Sequence, residues 1–159
     1  MPSEIITDCS KLIAQKGWNI AFAESASAGR LSAEFSLTPN SGDILRGGIV
    51  CYEVFVKEQI LKVPHYLIKE FTPESMQVTQ VLAQQAAHFF NSKITVAITG
   101  LTTAGGSETK EKPVGTIFLY IITPVGNISH QEVFSGNPEQ IVLKAADRAA
   151  ALIKKKISE

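Results

Sequence analysis

The chain has 159 residues, 45% hydrophobic and 19% charged, a composition typical of a folded globular protein rather than a disordered segment. Fifteen basic residues balance fifteen acidic ones, which excludes a strong overall field for nucleic acid or for an anionic membrane. The length predicts one domain with a sizeable core over residues 1–159.

The N-terminal segment and the cysteines indicate a reducing compartment. Residues 1–17 carry acidic side chains at helical spacing, without the basic start or continuous apolar core of a signal peptide. Cys9 and Cys51 are too few for a disulfide framework or a zinc site, and their apolar neighbours predict buried free thiols. No apolar run reaches the roughly 18 residues that a membrane span needs. We therefore expect a cytoplasmic protein without a membrane or nucleic-acid partner.

The hydrophobic pattern of the first half predicts helices that alternate with buried strands. The predicted elements are, in order, a helix over 3–15, a strand over 18–25, a helix over 31–37, a loop over 38–42, a strand over 47–54 and short helical pieces over 55–71. The glycines that lead the second strand, Gly47 and Gly48, predict a close approach of the backbone to another group.

The second half continues the alternation and ends in a hairpin and a helix. A long helix is predicted to about residue 91, with Thr72 as its N-cap and Pro73 at its first position. The later elements are a strand over 93–100, a loop over 101–112, a hairpin of strands over 114–124 and 128–136, and a helix over 138–157. This order predicts an α/β fold, a three-layer α/β/α sandwich on a mixed sheet in a single domain.

Polar residues follow three of the predicted strands. The first strand ends at Glu24-Ser25, the second at Tyr52 with Lys57 just beyond, and the third at Thr99-Gly100. Ligands of open α/β sheets bind outside the carboxyl ends of the strands. The sequence therefore predicts that these residues converge on one small-molecule site.

Ser25 stands on a sharp strand-to-helix turn followed only by small residues, in "ESASAG". Its hydroxyl is a candidate nucleophile, with N–H groups near Ser27 and Ala28 available to stabilise an oxyanion. The G-x-S-x-G pattern of a nucleophile elbow is absent, and an N-cap serine fits the same position. The residues alone leave both interpretations open.

A serine nucleophile needs a base, and Lys57 is a better candidate than any histidine. His65, His88 and His130 lie in a connecting segment, within a helix and in a hairpin strand. Lys57 can accept a proton only if burial lowers its pKa, and its apolar neighbours favour such burial. Tyr52 is placed to orient its amine or relay a proton. A solvated helix lysine is the alternative.

The loop after the third strand is rich in hydrogen-bond donors. Its threonines and glycines suit a phosphate or another oxyanion, although no Walker pattern is present and a flexible connection fits equally well. The residues concerned are Thr99, Gly100, Thr102, Thr103, Gly105, Gly106, Ser107 and Thr109.

Four stretches together resemble the C-terminal domain of the competence/damage-inducible protein CinA, a family that includes stand-alone nicotinamide mononucleotide amidohydrolases. They are "AESASAGRLSAEFSLTPNSGDILRGGIVCY", "VAITG", "EKPVGTIFLYI" and "FSGNPEQIVLKAADRAAALI". The resemblance implies a Ser/Lys hydrolase that releases ammonia from a carboxamide without metal or cofactor. It implies Ser25 as nucleophile, Lys57 as base and Tyr52 beside them. The implied substrate-binding residues are Ser27, Ala28, Gly29, Thr99, Gly100, Thr102 and Thr103.

The chain departs from the family pattern in ways that bear on the substrate. The family's C-T-G-G after the serine is Ala26–Gly29 here, and its Y-S-N is Tyr52-Glu53-Val54. The family's G-D-R-x-x-V-R is residues 136–142, which lack both arginines, and arginine is the natural clamp for a phosphate. The candidate substitutes are Lys110, Lys112 and Lys144.

Three functions therefore stay open at this stage. They are an active nicotinamide mononucleotide amidase, an inactive protein that binds a nucleotide-like ligand, and an amidase for a different amide. Exposed apolar helix faces are compatible with a homo-oligomer.

Overall fold

Seven helices and five strands make up the computed structural model, which describes residues 1–159. The helices are α1 (Glu4–Gln15), α2 (Arg30–Ser36), α3 (Ser41–Ile44), α4 (Val54–Gln59), α5 (His65–Phe71), α6 (Met76–Phe90) and α7 (Pro138–Ile157). The strands are β1 (Ile20–Glu24), β2 (Leu45–Val50), β3 (Ile94–Gly100), β4 (Thr116–Ile122) and β5 (Ile128–Val133). No helix combines the length and the apolar character that a membrane crossing requires.

The strands form one mixed sheet in the order β2-β1-β3-β4-β5. β1 runs parallel to both of its neighbours, so that Phe22 lies between Gly48 and Val96. β4 is antiparallel to β3, and β5 returns antiparallel to β4 as the predicted hairpin. The first three strands therefore share one direction, and their carboxyl ends share one edge of the sheet.

Two apolar clusters cover the two faces of the sheet. Successive residues of a strand point to opposite faces, so Phe22 belongs to one cluster and Ala23 to the other. The first cluster packs the sheet against α1, α2 and α7, and the second packs it against α6. This arrangement confirms the predicted three-layer α/β/α sandwich. Strand β1 is buried throughout, as a central strand between two helical layers requires.

The N-terminus of α6 differs from the prediction. The helix begins at Met76, and its N-cap is Ser75, whose hydroxyl accepts a hydrogen bond from the Val78 N–H at 3.3 Å. Thr72 has φ 71° and ψ 160°, so the prediction of Thr72 as N-cap was wrong. Thr72 and Ser75 are both residue types that favour the N-cap position. Ser75 occupies it, and its hydroxyl also donates to the Thr72 carbonyl. The result leaves Glu74 in the bend that precedes α6.

The region around β2 also differs from the prediction. Residues 41–44 form the short helix α3, which begins inside the predicted loop at 38–42, and β2 spans Leu45–Val50 rather than 47–54. The close approach predicted for the glycines is confirmed. A Cβ on Gly48 would lie 2.5 Å from the Ser32 hydroxyl, and one on Gly47 would lie 3.0 Å from the Phe90 ring. Because β2 ends at Val50, helix α4 begins at Val54, and this places Lys57 next to Ser25 at the carboxyl edge of the sheet.

Candidate active site

A cavity of about 200 Å3 opens where the carboxyl ends of β1, β2 and β3 meet. The turn after β1 and the segment after β2 contribute one side, and the loop after β3 forms most of the opposite wall. The lining residues are Ser25, Ala26, Tyr52, Glu74 and residues 100–106. This edge is where open α/β sheets bind ligands, so the cavity is the candidate active site.

Ser25 and Lys57 are in direct contact at the base of this cavity. The distance from the Ser25 Oγ to the Lys57 Nζ is 2.8 Å, although the two residues are 32 positions apart. Ser25 is 7% exposed and Lys57 is 1% exposed. The Cys51 N–H donates to the Glu24 carbonyl at 2.8 Å, which holds the start of the segment between β2 and α4 against β1. The sheet therefore brings the hydroxyl and the amine together.

The contacts of the Lys57 amine match the hydrogen-bonding capacity of an uncharged amine. Its Nζ lies 2.6 Å from the Cys51 carbonyl and 2.9 Å from the Tyr52 carbonyl, and these two oxygens can accept its two N–H groups. The lone pair then faces Ser25, whose hydroxyl becomes the donor. Three oxygens would also satisfy an ammonium group, so burial decides between the two forms.

Burial lowers the pKa of Lys57 below its ordinary value of 10.5, because the apolar surroundings disfavour the charged form. The charges of Cys51 and, to a smaller extent, Glu74 act in the opposite direction and raise this pKa. The balance is a net lowering. A lysine with a lowered pKa, hydrogen-bonded to a serine hydroxyl in a cleft, has the geometry of a general base and its nucleophile.

Glu24 fixes the turn that presents Ser25. Its buried carboxylate accepts hydrogen bonds from the Ser27 hydroxyl at 2.7 Å and from the Leu31 N–H at 2.8 Å. The other carboxylate oxygen accepts from the Ser32 N–H at 2.9 Å and the Ser32 hydroxyl at 2.6 Å. The carboxylate thus satisfies N–H groups at the start of α2 and ties both sides of the turn to the end of β1.

The small residues after Ser25 adopt conformations that larger side chains disfavour. Ala28 has φ 48° and Gly29 has φ 96°. Left-handed backbone strains a non-glycine residue by roughly 1–2 kcal/mol, so Ala28 occupies a position better suited to glycine. The Ala28 N–H donates to the Ser25 carbonyl at 3.1 Å, whereas the N–H groups of Ala26 and Ser27 make no hydrogen bond within the protein. Those two N–H groups are the free donors nearest to Ser25 in the turn.

The loop after β3 is tied down by carboxylates rather than left open. The Glu108 carboxylate accepts the Gly105 and Gly106 N–H groups, each at 2.8 Å. The Ser107 hydroxyl donates to Glu74. Lys112 donates to the Thr72 hydroxyl at 2.6 Å and to the Glu74 carbonyl at 2.8 Å. The loop is therefore anchored to the segment that precedes α6.

The structure brings together only part of the predicted site. Ser25, Tyr52, Gly100, Thr102 and Thr103 line the cavity, with Lys57 directly beneath Ser25. The residues that do not line it are Thr99, which is buried with its hydroxyl 2.8 Å from the Thr79 hydroxyl, and Ser27, Ala28 and Gly29, which form the turn below it. None of the three histidines lines the cavity.

Sequence reasoning missed Glu74, and it named Glu24 only by its place at the end of the first strand, without a role. Glu24 had a visible signal, since it is the one charged residue in the strand "IAFAE" and stands just before a helix start. Glu74 had no such signal, because its position depends on where α6 begins and on how the loop after β3 folds back. Local patterns do not determine either of these.

No basic side chain lines the cavity. The Lys112 amine is engaged as described above, and the Lys144 amine donates to the Ser135 carbonyl at 2.6 Å. Residues 136–142, where the family's arginines are missing, form the start of α7 with Asn137 as N-cap. Within this group, Glu139 contacts Arg30 at 3.3 Å. None of the candidate lysines therefore supplies a phosphate clamp in this arrangement.

Comparison with known proteins agrees with the fold. A family model described as the CinA C-terminal domain matches residues 3–157, and the chain belongs to this family. A CinA-like protein of Prochlorococcus marinus is 37% identical over 123 residues, which are 77% of this chain and 29% of that protein. A CinA-like protein of Thermosipho melanesiensis is 31% identical over 145 residues, which are 90% of this chain and 36% of that protein. The chain thus spans about a third of the length of these relatives.

Solved structures show the same architecture. The crystal structure of a competence-damaged protein (CinA) superfamily protein from Klebsiella pneumoniae superposes with a TM-score of 0.91. The alignment covers 98% of this chain and 96% of the other, at 22% sequence identity. A competence/damage-inducible protein from Agrobacterium tumefaciens aligns with a TM-score of 0.88 at 22% identity. At this level of identity the likeness concerns the fold alone.

Proposed function

We propose that this chain is a Ser/Lys amidohydrolase of the nicotinamide mononucleotide amidase type. It would hydrolyse a primary carboxamide to a carboxylate and ammonia. The observation that carries the proposal is the buried Lys57 amine at 2.8 Å from the Ser25 hydroxyl, with the backbone carbonyls of Cys51 and Tyr52 as its two other partners. That arrangement supports an uncharged amine whose lone pair is directed at a serine.

Acylation follows from these contacts. The Lys57 amine takes the proton of the Ser25 hydroxyl while the Ser25 oxygen attacks the carboxamide carbon. The negative charge that develops on the amide oxygen is stabilised by the free N–H group of Ala26, which lines the cavity next to Ser25. The Lys57 ammonium then transfers its proton to the amide nitrogen. The carbon–nitrogen bond breaks, ammonia leaves, and an ester to Ser25 remains.

Deacylation repeats the same steps with water. The Lys57 amine, uncharged again, takes a proton from a water molecule that attacks the ester carbon. The proton returns to the Ser25 oxygen as the ester bond breaks, and the carboxylic acid product loses its own proton to solvent. One carboxamide and one water thus give one carboxylate and ammonia. The open side of the cavity admits both the substrate and this water.

Ammonia release from nicotinamide mononucleotide tests the proposal. We expect turnover by the purified chain, and its loss on Ser25→Ala. We expect Lys57→Met to lower kcat/KM by about 10²-fold to 10⁴-fold, the usual contribution of a general base. Lys69→Met, which changes an exposed lysine of α5, is the matched control and should retain activity. Equal ammonia release by the parent chain and Ser25→Ala would contradict the serine mechanism.

An amidase for an unphosphorylated amide is the second candidate. The specific observation in its favour is that no lysine or arginine lines the cavity. The ammonia assay should therefore include nicotinamide riboside, which carries the same carboxamide without a phosphate. Saturable binding of these compounds with no ammonia from any of them would contradict catalysis and indicate a protein that only binds its ligand.

A further inference from the structure

Three consecutive backbone N–H groups on the cavity wall have no acceptor within the protein. They belong to residues 102–104, in the loop that follows β3. The Leu101 N–H before them donates to the Thr116 carbonyl at 2.9 Å, and the Gly105 N–H after them donates to the Glu108 carboxylate at 2.8 Å. The three free donors therefore lie between two fixed points of the loop.

The side chains of the same stretch add two hydroxyl groups. Thr102 and Thr103 both line the cavity, and neither hydroxyl makes a hydrogen bond within the protein. Every other threonine hydroxyl of the chain takes part in one. The threonine hydroxyls without a partner are thus the two on the cavity wall, next to the three free N–H groups.

Consecutive N–H groups of a loop stabilise an oxyanion without any cationic side chain. The neighbouring part of this loop already does so for a carboxylate. Hydrogen bonds from the N–H groups of Gly105, of Glu108 itself and of Gly106 lower the pKa of the Glu108 carboxyl below its ordinary value of 4.5. A phosphate held by residues 102–104 in the same way needs no lysine or arginine, and none lines the cavity.

We propose that the N–H groups of residues 102–104, together with the hydroxyls of Thr102 and Thr103, form the phosphate site of this cavity. They would take over the role of the arginines that are missing from residues 136–142. This inference rests on the proposed amidohydrolase function and adds to it the residues that select a phosphorylated substrate. The Glu74 carboxylate also lines the cavity, and its negative charge opposes an anion, so the neutral donors have to outweigh it.

Nicotinamide mononucleotide and nicotinamide riboside differ only by the phosphate, so the ratio of their kcat/KM values measures its recognition. We expect the unaltered chain to prefer the mononucleotide by about tenfold or more. Ala104→Pro removes one N–H group of the proposed site and should lower this ratio by about tenfold, the usual effect of losing one hydrogen bond to a charged group. Ala104→Gly keeps the N–H group and is the matched control, which should retain the ratio.

Three further variants separate these donors from charge and from loop folding. The double variant Thr102→Val, Thr103→Val keeps every N–H group, removes both hydroxyls and should also lower the ratio. Glu74→Gln removes the opposing charge and should raise it. Lys110→Met changes an exposed lysine of the same loop and should leave it unchanged. A fall in Lys110→Met as large as in Ala104→Pro would assign the phosphate to a cation and overturn the inference.

Calorimetric binding distinguishes failure of this inference from failure of the proposed function. Ammonia release with the same ratio in the unaltered chain and in Ala104→Pro would overturn the inference and leave the amidohydrolase function intact. If neither compound releases ammonia, the two are compared by affinity. Tighter binding of the mononucleotide, lost in Ala104→Pro and kept in Ala104→Gly, would support the phosphate site without catalysis. Equal affinities, tighter binding of the riboside, or no binding of the mononucleotide would overturn it.

Discussion

Lys57 can act as a base only while its amine is uncharged, and its surroundings set the pH at which this holds. Burial lowers its pKa, so the amine loses its proton at a lower pH than an exposed lysine does. We expect kcat/KM to fall as the pH decreases through this lowered pKa, because the protonated amine cannot accept the Ser25 proton. A pH profile of ammonia release measures the position of this acid limb.

Glu74 provides the control for that profile. Its negative charge raises the pKa of Lys57, so Glu74→Gln should move the acid limb to lower pH, whereas Glu70→Gln should not move it. A limb that moves to lower pH in Glu74→Gln and not in Glu70→Gln would support the assignment of the limb to Lys57. A profile with no acid limb at any pH at which the chain stays folded would contradict the lysine base itself.

At the scale of elements, the turn from β1 to α2 depends on the Glu24 carboxylate. Four hydrogen bonds end on its two oxygens, and Glu24→Gln would direct an NH2 group at donors that need an acceptor. We expect this substitution to lower the free energy of unfolding by about 2 kcal/mol, the usual loss for a buried charged hydrogen-bonding group. It should also lower kcat, because the turn that holds Ser25 loosens. Urea unfolding and the ammonia assay measure the two effects.

An exposed glutamate provides the comparison. Glu111→Gln changes the same chemical group on the surface and should leave both stability and kcat close to those of the unaltered chain. If Glu24→Gln were as stable and as active as Glu111→Gln, Glu24 would not hold the turn. Reduced stability with full activity would separate the support of α2 from the positioning of Ser25.

For the molecule as a whole, the two cysteines report on the integrity of the two apolar layers. Cys9 and Cys51 are free thiols with no exposed surface, in the clusters on opposite faces of the sheet. Burial raises the pKa of Cys9 to about 12 and that of Cys51 to about 11. Thiolate is the reactive form, so we expect neither residue to react with a disulfide reagent in the native protein at mildly alkaline pH.

Reaction with the same reagent across a urea titration measures this expectation. Both thiols should become reactive together, in step with loss of helical circular dichroism, because one cooperative transition exposes both layers. Cys9→Ser and Cys51→Ser assign the signal to each residue. Reaction of Cys51 well before Cys9 would contradict a single transition and would indicate separate opening of the segment between β2 and α4.

Much of the fold followed from local patterns. The apolar residues of β1 and β3, and the apolar face of α7, predict their own elements because each pattern has a single interpretation. The predicted start of α6 was wrong because Thr72 and Ser75 are both good N-caps. The choice between them depends on the contacts that Ser107 and Lys112, in a distant loop, make with Glu74 and Thr72. The short helix at 41–44 was missed because loop and helix-start residues are the same types.

The sequence by itself determined the layered α/β architecture, the family resemblance, and Ser25, Tyr52 and Lys57 as the candidate site residues. It did so because periodicity, turn chemistry and short motifs are local. Only the tertiary structure decided that Ser25 and Lys57 lie 2.8 Å apart, that the carbonyls of Cys51 and Tyr52 accept from the amine, and that Glu74 is the one charge on the cavity wall. The distances between these groups and their burial depend on how the carboxyl ends of three parallel strands come together. No single stretch of the sequence determines them.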